Sequence, residues 1–190
     1  MVVGILLSGG SSRRMGIDKA SMLVAGVPCG VRVASALQSV AIRSIEVGPG
    51  GSGLPSVWEQ PPGRGPLAAV AAGAEALTGH AALAHPALVV ACDLPFLTDS
   101  VLATLASWPG SHSVVPVVEG QAQTLCARWS VTDLAAVAAL VVSGRRAMSA
   151  LLERPGVELV DEIRWPGGLD RRAFADVDTP DDLQRLGLPR

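Results

Sequence analysis

The sequence has 190 residues, of which 49% are hydrophobic and 17% are charged, and its formal net charge is −2. This composition supplies a large core and excludes a disordered chain, while the charge balance excludes a broad basic surface for nucleic acid. The cysteines Cys29, Cys92 and Cys126 follow no disulfide or metal-ligand spacing, and the apolar N-terminal run lacks the basic start of a signal peptide and the length of a membrane span. We therefore expect a cytoplasmic protein that acts on neither nucleic acid nor membrane.

In chain order, predicted strands alternate with predicted helices. Short apolar runs predict strands over residues 2–7, 42–47, 87–92, 113–118, 122–129 and 157–160, the last paired with a further strand over 163–165. Helical spacing predicts helices over residues 31–40, 67–77, 100–106, 131–142 and 145–152. Thr98 or Asp99 caps the third helix, Ser130 with Asp133 caps the fourth, and Thr179 starts a short terminal helix. This alternation predicts one α/β domain over residues 1–190, with a mostly parallel sheet covered on both faces.

A glycine-rich, cationic loop, LSGGSSRRMGIDKA, follows the first strand over residues 7–20. In open α/β sheets, ligands bind beyond the carboxyl ends of strands, where this loop is expected. Gly9 and Gly10 let backbone N–H groups approach oxygen atoms closely, and Arg14 and Lys19 can form charge-assisted hydrogen bonds. The spacing is not that of a Walker A motif, because Asp18, rather than a glycine, directly precedes Lys19. The loop is predicted to cradle a polyphosphate; the alternative is a solvated turn with surface cations.

Two other glycine-containing loops follow predicted elements. A Gly-x-Gly-x-x-Gly pattern over residues 48–53 precedes Leu54-Pro55 rather than a helix, which favours a flexible loop over a dinucleotide fingerprint. The segment EQPPGRGP, residues 59–66, is a rigid loop beyond a strand end.

Acidic residues stand at two further positions where a ligand is expected. Asp93 ends a buried strand in VVACDLPFLT, which suits a Mg²⁺ ligand facing a phosphate loop, and the alternative is a turn or capping aspartate. Asp176 and Asp178 would face one side of an extended segment and add metal or substrate contacts, and the alternative is an acidic helix start. Cys92 is expected to be a small buried residue rather than a nucleophile.

Several other arginines, histidines and tryptophans form no cluster that by itself indicates a catalytic or binding site. Arg145 and Arg146 form a solvated helix face or contact an anionic acceptor. The histidines are predicted to be loop or surface residues: His80, His85 and His112. The tryptophans are scattered and predict no aromatic platform for bases: Trp58, Trp108, Trp129 and Trp165.

Together these motifs resemble one family. Leu-x-Gly-Gly-x-x-x-Arg-Met-Gly-x-x-Lys, from Leu7 to Lys19, resembles the signature of small nucleotidyltransferases, and the molybdenum cofactor guanylyltransferases are the most similar. The resemblance continues through PPGRGPLAAV, ACDLPFLT, SGRRAMSALL and DVDTPDDL, so it covers nearly the whole chain in order.

This resemblance implies a fold and an activity. The fold would be a Rossmann-like three-layer α/β/α domain, with a mostly parallel central sheet and a short antiparallel addition. The activity would be Mg²⁺-dependent transfer of GMP from GTP to the terminal phosphate of molybdopterin, with release of pyrophosphate. Implied partners are GTP, molybdopterin and, transiently, other proteins of the cofactor pathway.

The resemblance also assigns roles to residues. Arg14 and Lys19 would hold phosphates, and Asp93, together with Asp178, would hold Mg²⁺. Glu59 takes a position where the family usually has an aspartate near the nucleotide. The nucleotide site would further include a set of mostly backbone contacts: Leu7, Ser8, Gly9, Gly10 and Gly65.

Two features of the sequence point to different bases. Ser8-Gly9-Gly10 resembles the guanylyl members, whereas Asp176 and Asp178 replace two asparagines and resemble the cytidylyl relatives. We weight the loop more heavily and expect guanine. The alternatives are a cytidylyltransferase or sugar-phosphate nucleotidyltransferase of the same fold, and a degenerate nucleotide-binding module with a regulatory role.

Overall fold

Strands and helices alternate along most of the computed structural model, which describes residues 1–9, 19–79, 83–177 and 180–188. The strands are β1 (Val3–Leu7), β2 (Leu23–Val24), β3 (Val27–Pro28), β4 (Ser44–Val47), β5 (Ser56–Val57), β6 (Ala87–Ala91), β7 (Val114–Val118), β8 (Gln121–Ala122), β9 (Cys126–Trp129) and β10 (Glu158–Val160). The helices are α1 (Cys29–Gln38), α2 (Pro66–Thr78), α3 (Asp99–Ser107), α4 (Val131–Val142) and α5 (Pro180–Arg185), with 3₁₀ turns at Lys19–Ser21, Met148–Glu153 and Arg171–Phe174.

The main sheet has the strand order β10-β7-β9-β6-β1-β4-β5, with β8 beside β7. β1 runs parallel to β4 and β6, β5 runs parallel to β4, and β10 runs parallel to β7. β9 is antiparallel to both β6 and β7, and β8 is antiparallel to β7. The predicted mostly parallel sheet with a short antiparallel addition is confirmed, and the reversed strand β9 lies inside the sheet.

Apolar side chains of the sheet alternate between two cores. Leu6, for example, packs with α1 and α3 on one face, and Ile5 packs with α2 and α4 on the other. Both side chains are fully buried. The sheet therefore has helices on both faces, as the expected Rossmann-like three-layer arrangement requires.

Capping residues explain where several helices begin. α1 begins at Cys29 rather than at residue 31, because Pro28 is already extended at the cap (φ −55°, ψ 137°). The Thr98 side chain, and not Asp99, accepts the capping hydrogen bond of α3, from the N–H of Val101 at 3.4 Å. Thr179 lies outside the described residues, so its predicted cap stays a prediction.

The start of α4 carries a buried carboxylate. Ser130 accepts a hydrogen bond from the N–H of Asp133 at 3.1 Å, as the predicted capping box requires. Burial alone would raise the pKa of Asp133, but hydrogen bonds from Ser113, Arg154 and Ser130 outweigh burial and hold this pKa below its ordinary value. Asp133 therefore connects the helix to β7 and to the end of the 3₁₀ turn Met148–Glu153.

Three predicted elements differ in the structure. The strand over 122–129 is divided into β8 and β9, because the N–H of Thr124 turns back to the carbonyl of Ala122. The helix over 145–152 is a 3₁₀ turn at Met148–Glu153. The strand over 163–165 is wrong: the N–H of Arg164 bonds the side chain of Asp161 at 3.0 Å in a turn, and β10 pairs in parallel with β7 instead.

None of the helices among the described residues combines the length and the apolar character that crossing a membrane requires. The single domain over residues 1–190 stays a prediction.

Candidate functional site

One edge of the sheet gathers the loops that the sequence marks. β1, β4, β5 and β6 are parallel neighbours, so their carboxyl ends meet at this edge. Ser8 and Gly9 follow β1, Trp58 and Glu59 follow β5, and Asp93 lies two residues beyond β6. The N–H of Cys92 donates to the carbonyl of Leu7 at 3.0 Å, which ties the first and third of these segments together.

A lysine and an aspartate meet directly at this edge. Lys19 Nζ lies 2.8 Å from Asp93 Oδ2, although the two residues are 74 positions apart in the chain. Each side chain is only 18% exposed. The cation predicted to hold phosphates and the carboxylate predicted to hold a metal are therefore parts of one centre. Gly10, Arg14 and Asp178 lie outside the described residues, and their roles stay predictions.

A buried carboxylate that the sequence analysis missed supports the loop after β1. Glu46 in β4 is fully buried, and its Oε1 accepts hydrogen bonds from the Ser8 hydroxyl and, at 3.1 Å, from the Gly50 N–H. Its Oε2 accepts bonds from the Ser52 N–H at 3.1 Å and the Ser52 hydroxyl at 2.5 Å. Glu46 thus joins the start of the opening loop to the glycine-rich loop after β4.

Gly48 allows these two loops to touch. A Cβ at this position would lie 2.2 Å from Ser8 Oγ and 2.5 Å from the Gly9 nitrogen, and its φ of +148° is unfavourable for other residues. The N–H groups of Ser8 and Gly9 both donate to the carbonyl of Val47, at 3.0 and 3.1 Å. The residue 48–53 segment, expected to be only a flexible loop, is therefore one wall of the site.

Glu59 lies at the same edge, and only one of its two carboxylate oxygens has a hydrogen-bond partner among the described residues. The side chain is 3% exposed, and Oε1 accepts a hydrogen bond from the Gly63 N–H at 2.8 Å. Oε2 is buried and has no hydrogen-bond partner among the described residues. An unpaired buried carboxylate oxygen is costly, and a ligand with a donor group would satisfy it.

Gly65 and Arg146 contact each other at the end of the loop that follows Glu59. Gly65 precedes α2 with φ +97°, and a Cβ there would lie 3.0 Å from the carbonyl oxygen of Arg146. Arg146 donates from its guanidinium to the Gly63 carbonyl at 2.5 Å, and Arg145 forms an ion pair with Glu153. Arg146 therefore supports the Glu59–Gly65 segment, whereas Arg145 is paired at the surface, and contact of either arginine with an anionic acceptor stays a prediction.

A cavity of about 730 Å³ opens on the other side of Asp93, over β7, β8 and β9. Asp176 lines it, because the N–H of the next residue, Val177, bonds the Asp93 carbonyl at 3.1 Å. Three arginines also line it: Arg171, Arg172 and Arg185.

The three arginines differ in how their charges are compensated. Arg171 pairs with Glu162 and Arg185 pairs with Asp182. Arg172 lies over the Phe96 ring at 3.9 Å and donates to a backbone carbonyl, and no carboxylate among the described residues pairs with it. Its charge is available to an anion in the cavity.

A metal ion at this site would depend on oxygen ligands. No group of three or more His, Cys, Asp or Glu side chains that could hold a metal ion occurs within the described ranges. Asp93 is nonetheless a partly exposed carboxylate that lines an open cavity, and Mg²⁺ is commonly held by one or two carboxylates together with substrate phosphates. The residues present fit Mg²⁺ on those terms.

The buried thiols and the distant His112 are unsuited to act as nucleophiles at this edge. Burial raises the pKa of Cys29 to about 12, with a smaller contribution from Asp93, and burial raises the pKa of Cys126 to about 12. Cys92 is buried, as predicted. His112 pairs with Glu158 just before β7 and at the start of β10, at the opposite edge of the sheet, and His80 lies outside the described residues.

Comparison with known proteins gives one consistent result. The family model for the MobA-like NTP transferase domain matches residues 4–159. The molybdenum cofactor guanylyltransferase of Rhodobacter capsulatus is 33% identical over 97% of this chain and 94% of its own length. A probable molybdenum cofactor guanylyltransferase of Chloroflexus aggregans is 30% identical over 97% of this chain and 92% of its own length.

A solved structure confirms the architecture. Molybdopterin-guanine dinucleotide biosynthesis protein A from Archaeoglobus fulgidus superposes with a TM-score of 0.76 at 22% identity, over 97% of this chain and 96% of that one. At this identity the likeness establishes the fold alone.

Proposed function

The chain belongs to the family of MobA-like NTP transferase domains and is a nucleotidyltransferase, and we propose that it transfers GMP from GTP to the terminal phosphate of molybdopterin. The names of its curated relatives support this choice of substrates. The observation that carries the proposal is the contact between Lys19 and Asp93, because Asp93 follows β6, next to the loops after β1, β4 and β5, and also lines the cavity over β7 and β9. Donor and acceptor would occupy the two sides and meet at Asp93.

The proposed step exchanges one phosphorus–oxygen bond for another. An oxygen of the acceptor phosphate bonds the α-phosphorus of GTP, and the bond from that phosphorus to the bridging oxygen breaks. Pyrophosphate leaves with the electron pair. Little covalent chemistry is asked of the protein, so its contribution is to position the two substrates and neutralise their charge.

Lys19 and Arg14 would neutralise the phosphates of the donor. Lys19 reaches the centre at Asp93, and its ammonium would stabilise the charge that builds on the leaving pyrophosphate. Asp93, with Asp178, would hold Mg²⁺, which when bound supplies further neutralisation of phosphate oxygens.

The backbone of residues 7–10 and the buried Glu59 would hold the nucleoside portion. Gly9 adds no side chain to the surface just beyond β1, and Gly65 lets the Glu59 loop pass close to Arg146. The unpaired Oε2 of Glu59 would accept a hydrogen bond from a donor group of the nucleotide.

The acceptor would occupy the cavity over β7 and β9. A phosphate monoester carries two negative charges near neutral pH, and Arg172 offers a cation without a carboxylate partner among the described residues. Asp176 lines the same cavity and would accept hydrogen bonds from the polar groups of the acceptor.

Pyrophosphate release with molybdopterin as acceptor tests this function. We expect turnover with GTP that exceeds turnover with CTP or ATP and that EDTA abolishes. Asp93→Asn and Lys19→Met should lower kcat by about 10²- to 10³-fold, the range for removal of one group that stabilises developing charge. Asp161→Asn, at an exposed carboxylate, is the matched control and should keep full activity.

Each other outcome has a definite meaning. Preference for CTP would contradict guanylyl transfer and support the cytidylyl alternative. Binding of GTP with no pyrophosphate release would contradict the transfer reaction and leave a nucleotide-binding module. The cytoplasmic location and the transient contacts with other proteins of the pathway stay predictions.

A further inference from the structure

Trp58 is an exposed aromatic side chain beside the opening loop. It is 45% exposed and follows β5 directly, where the Val57 carbonyl accepts the N–H of Gly48 at 2.9 Å. A Cβ on Gly9 would lie 3.5 Å from Cζ3 of Trp58, so the indole lies against the backbone of the predicted nucleotide loop. Its position is therefore at the site and not on an unrelated surface.

This exposure is unusual for the chain. Aromatic residues make up only 3% of it. The other aromatic side chains are buried, packed on one another or covered by an arginine: Phe96, Trp108, Trp129, Trp165 and Phe174. A half-exposed indole that lies against the predicted nucleotide loop can offer its ring face to a ligand.

The strand order gives the direction in which a nucleotide would lie. From Asp93 after β6, the edge passes β1 and β4 before it reaches β5 and Trp58. A nucleotide whose triphosphate lies at Lys19 and Asp93 and whose nucleoside extends along this edge would cross Gly9 and Gly48 and reach the indole. These glycines present no side chain, so a flat base can lie across them.

The residue after Trp58 supplies a second, independent observation. Glu59 is 3% exposed, and its Oε2 lacks a partner within the described part of the chain. This oxygen can accept one N–H or O–H donor of a base or ribose that reaches it. An aromatic face and an unsatisfied acceptor thus lie next to each other in the chain, at the end of the edge away from the reacting centre.

We propose that the Trp58 indole stacks on the base of the bound nucleotide. The inference rests on the proposed function, because it takes the donor to be a nucleoside triphosphate. Stacking uses the ring face that every base has, so it contributes affinity for nucleotides in general. Discrimination between bases is left to hydrogen-bonding groups such as Glu59.

Calorimetry without acceptor tests the stacking. Trp58→Ala should weaken GTP binding by about 10- to 100-fold, the range for loss of one base–aromatic stack, and Trp58→Phe should recover most of the affinity. Inorganic tripolyphosphate, which has no base, should bind the wild type and Trp58→Ala equally. A loss of tripolyphosphate affinity as large as that for GTP would overturn stacking, because it would show general damage to the site.

Fluorescence and kinetics give two further readouts. GTP should quench the emission of the wild type and of Trp108→Phe, but not that of Trp58→Phe. With saturating acceptor, Trp58→Ala should raise the KM for GTP and leave kcat unchanged, because the stack is made equally in the ground and transition states.

Failure of stacking and failure of the proposed function look different. Unchanged GTP affinity in Trp58→Ala, with normal turnover, would refute stacking and leave guanylyl transfer intact. A stronger wild-type affinity for CTP, weakened in Trp58→Ala, would refute guanylyl transfer and keep stacking. Absence of any nucleotide binding by the wild type would refute both.

Discussion

Replacement of Glu46 by glutamine tests the buried network most directly. Glutamine keeps the shape of the side chain but exchanges one acceptor oxygen for an NH₂ group, which donates. The hydroxyls of Ser8 and Ser52 can rotate to accept from this group. The backbone N–H groups of Gly50 and Ser52, each 3.1 Å from a carboxylate oxygen, cannot. One buried backbone donor therefore loses its partner in either orientation of the amide.

The expected cost follows from these contacts. A buried donor without a partner costs about 1–3 kcal/mol, and the remaining bonds to the new amide lose the strengthening that a charged acceptor gives. The removal of a buried charge offsets part of this loss. We expect Glu46→Gln to lower the free energy of unfolding by about 2–3 kcal/mol and Tm by roughly 4–12 °C for a chain of this length.

Urea and thermal unfolding measure this effect, and Glu153→Gln provides the matched control. The Glu153 side chain is 65% exposed and pairs with Arg145 at the surface, so the same chemical change there should cost less than about 1 kcal/mol. Glu46→Gln should also raise the KM for GTP, because Ser8 and the residue 48–53 loop are positioned through Glu46. Equal stabilities for the two variants, with an unchanged KM, would refute the positioning role of Glu46.

Three other predictions follow from features of the fold. Gly48→Ala should destabilise the protein by about 2–4 kcal/mol in urea unfolding, and by more than Gly51→Ala does. Both positions have positive φ, but only at Gly48 would the added Cβ lie closer than 3 Å to neighbouring atoms. Equal losses for the two variants would contradict the close approach. Asp133→Asn should lower the free energy of unfolding, and the full loss relative to the wild type should be present well above pH 3.8, the ordinary pKa of the carboxyl. The loss should shrink as the pH falls through the lower pKa that this carboxyl has in the folded protein. A loss that does not change with pH would contradict the lowered pKa. Cys29 and Cys126, whose pKa values are raised to about 12, should not react with a thiol-specific disulfide reagent at pH 8 until urea unfolds the protein, and rapid labelling of the native protein would contradict their burial.

Most of the strands and helices could be predicted because their signals are local. Apolar runs, glycines and capping residues such as Ser130 lie within a few positions of the elements that they define. The reversed direction of β9 and the failure of the strand over 163–165 depend instead on which distant strand each segment pairs with. Pairing is decided by packing across the sheet, and a single segment carries little information about it.

The candidate site shows the same difference between local signals and long-range contacts. Asp93 could be proposed from its place at a strand end, and Lys19 from its place in a glycine-rich loop, but their contact joins positions far apart in the chain. Glu46 was missed because a single acidic residue in the short strand SIEV gives no sign that serines and N–H groups will converge on it. In the sequence Trp58 is one of several scattered tryptophans, and its significance depends on Gly9, which the fold brings beside it.

The ion pair with Asp93 has a practical consequence, because Lys19 is the only lysine in the chain and all other cationic side chains are arginine or histidine. Amine-directed reagents therefore have one side-chain target, and it lies at the centre where donor and acceptor would meet. Reductive methylation with ¹³C-formaldehyde would place one side-chain NMR label there, distinct from the label on the α-amine of Met1. The resonance of that label would report directly on the environment of the ion pair as nucleotide, metal or acceptor is added, with no substitution in the sequence.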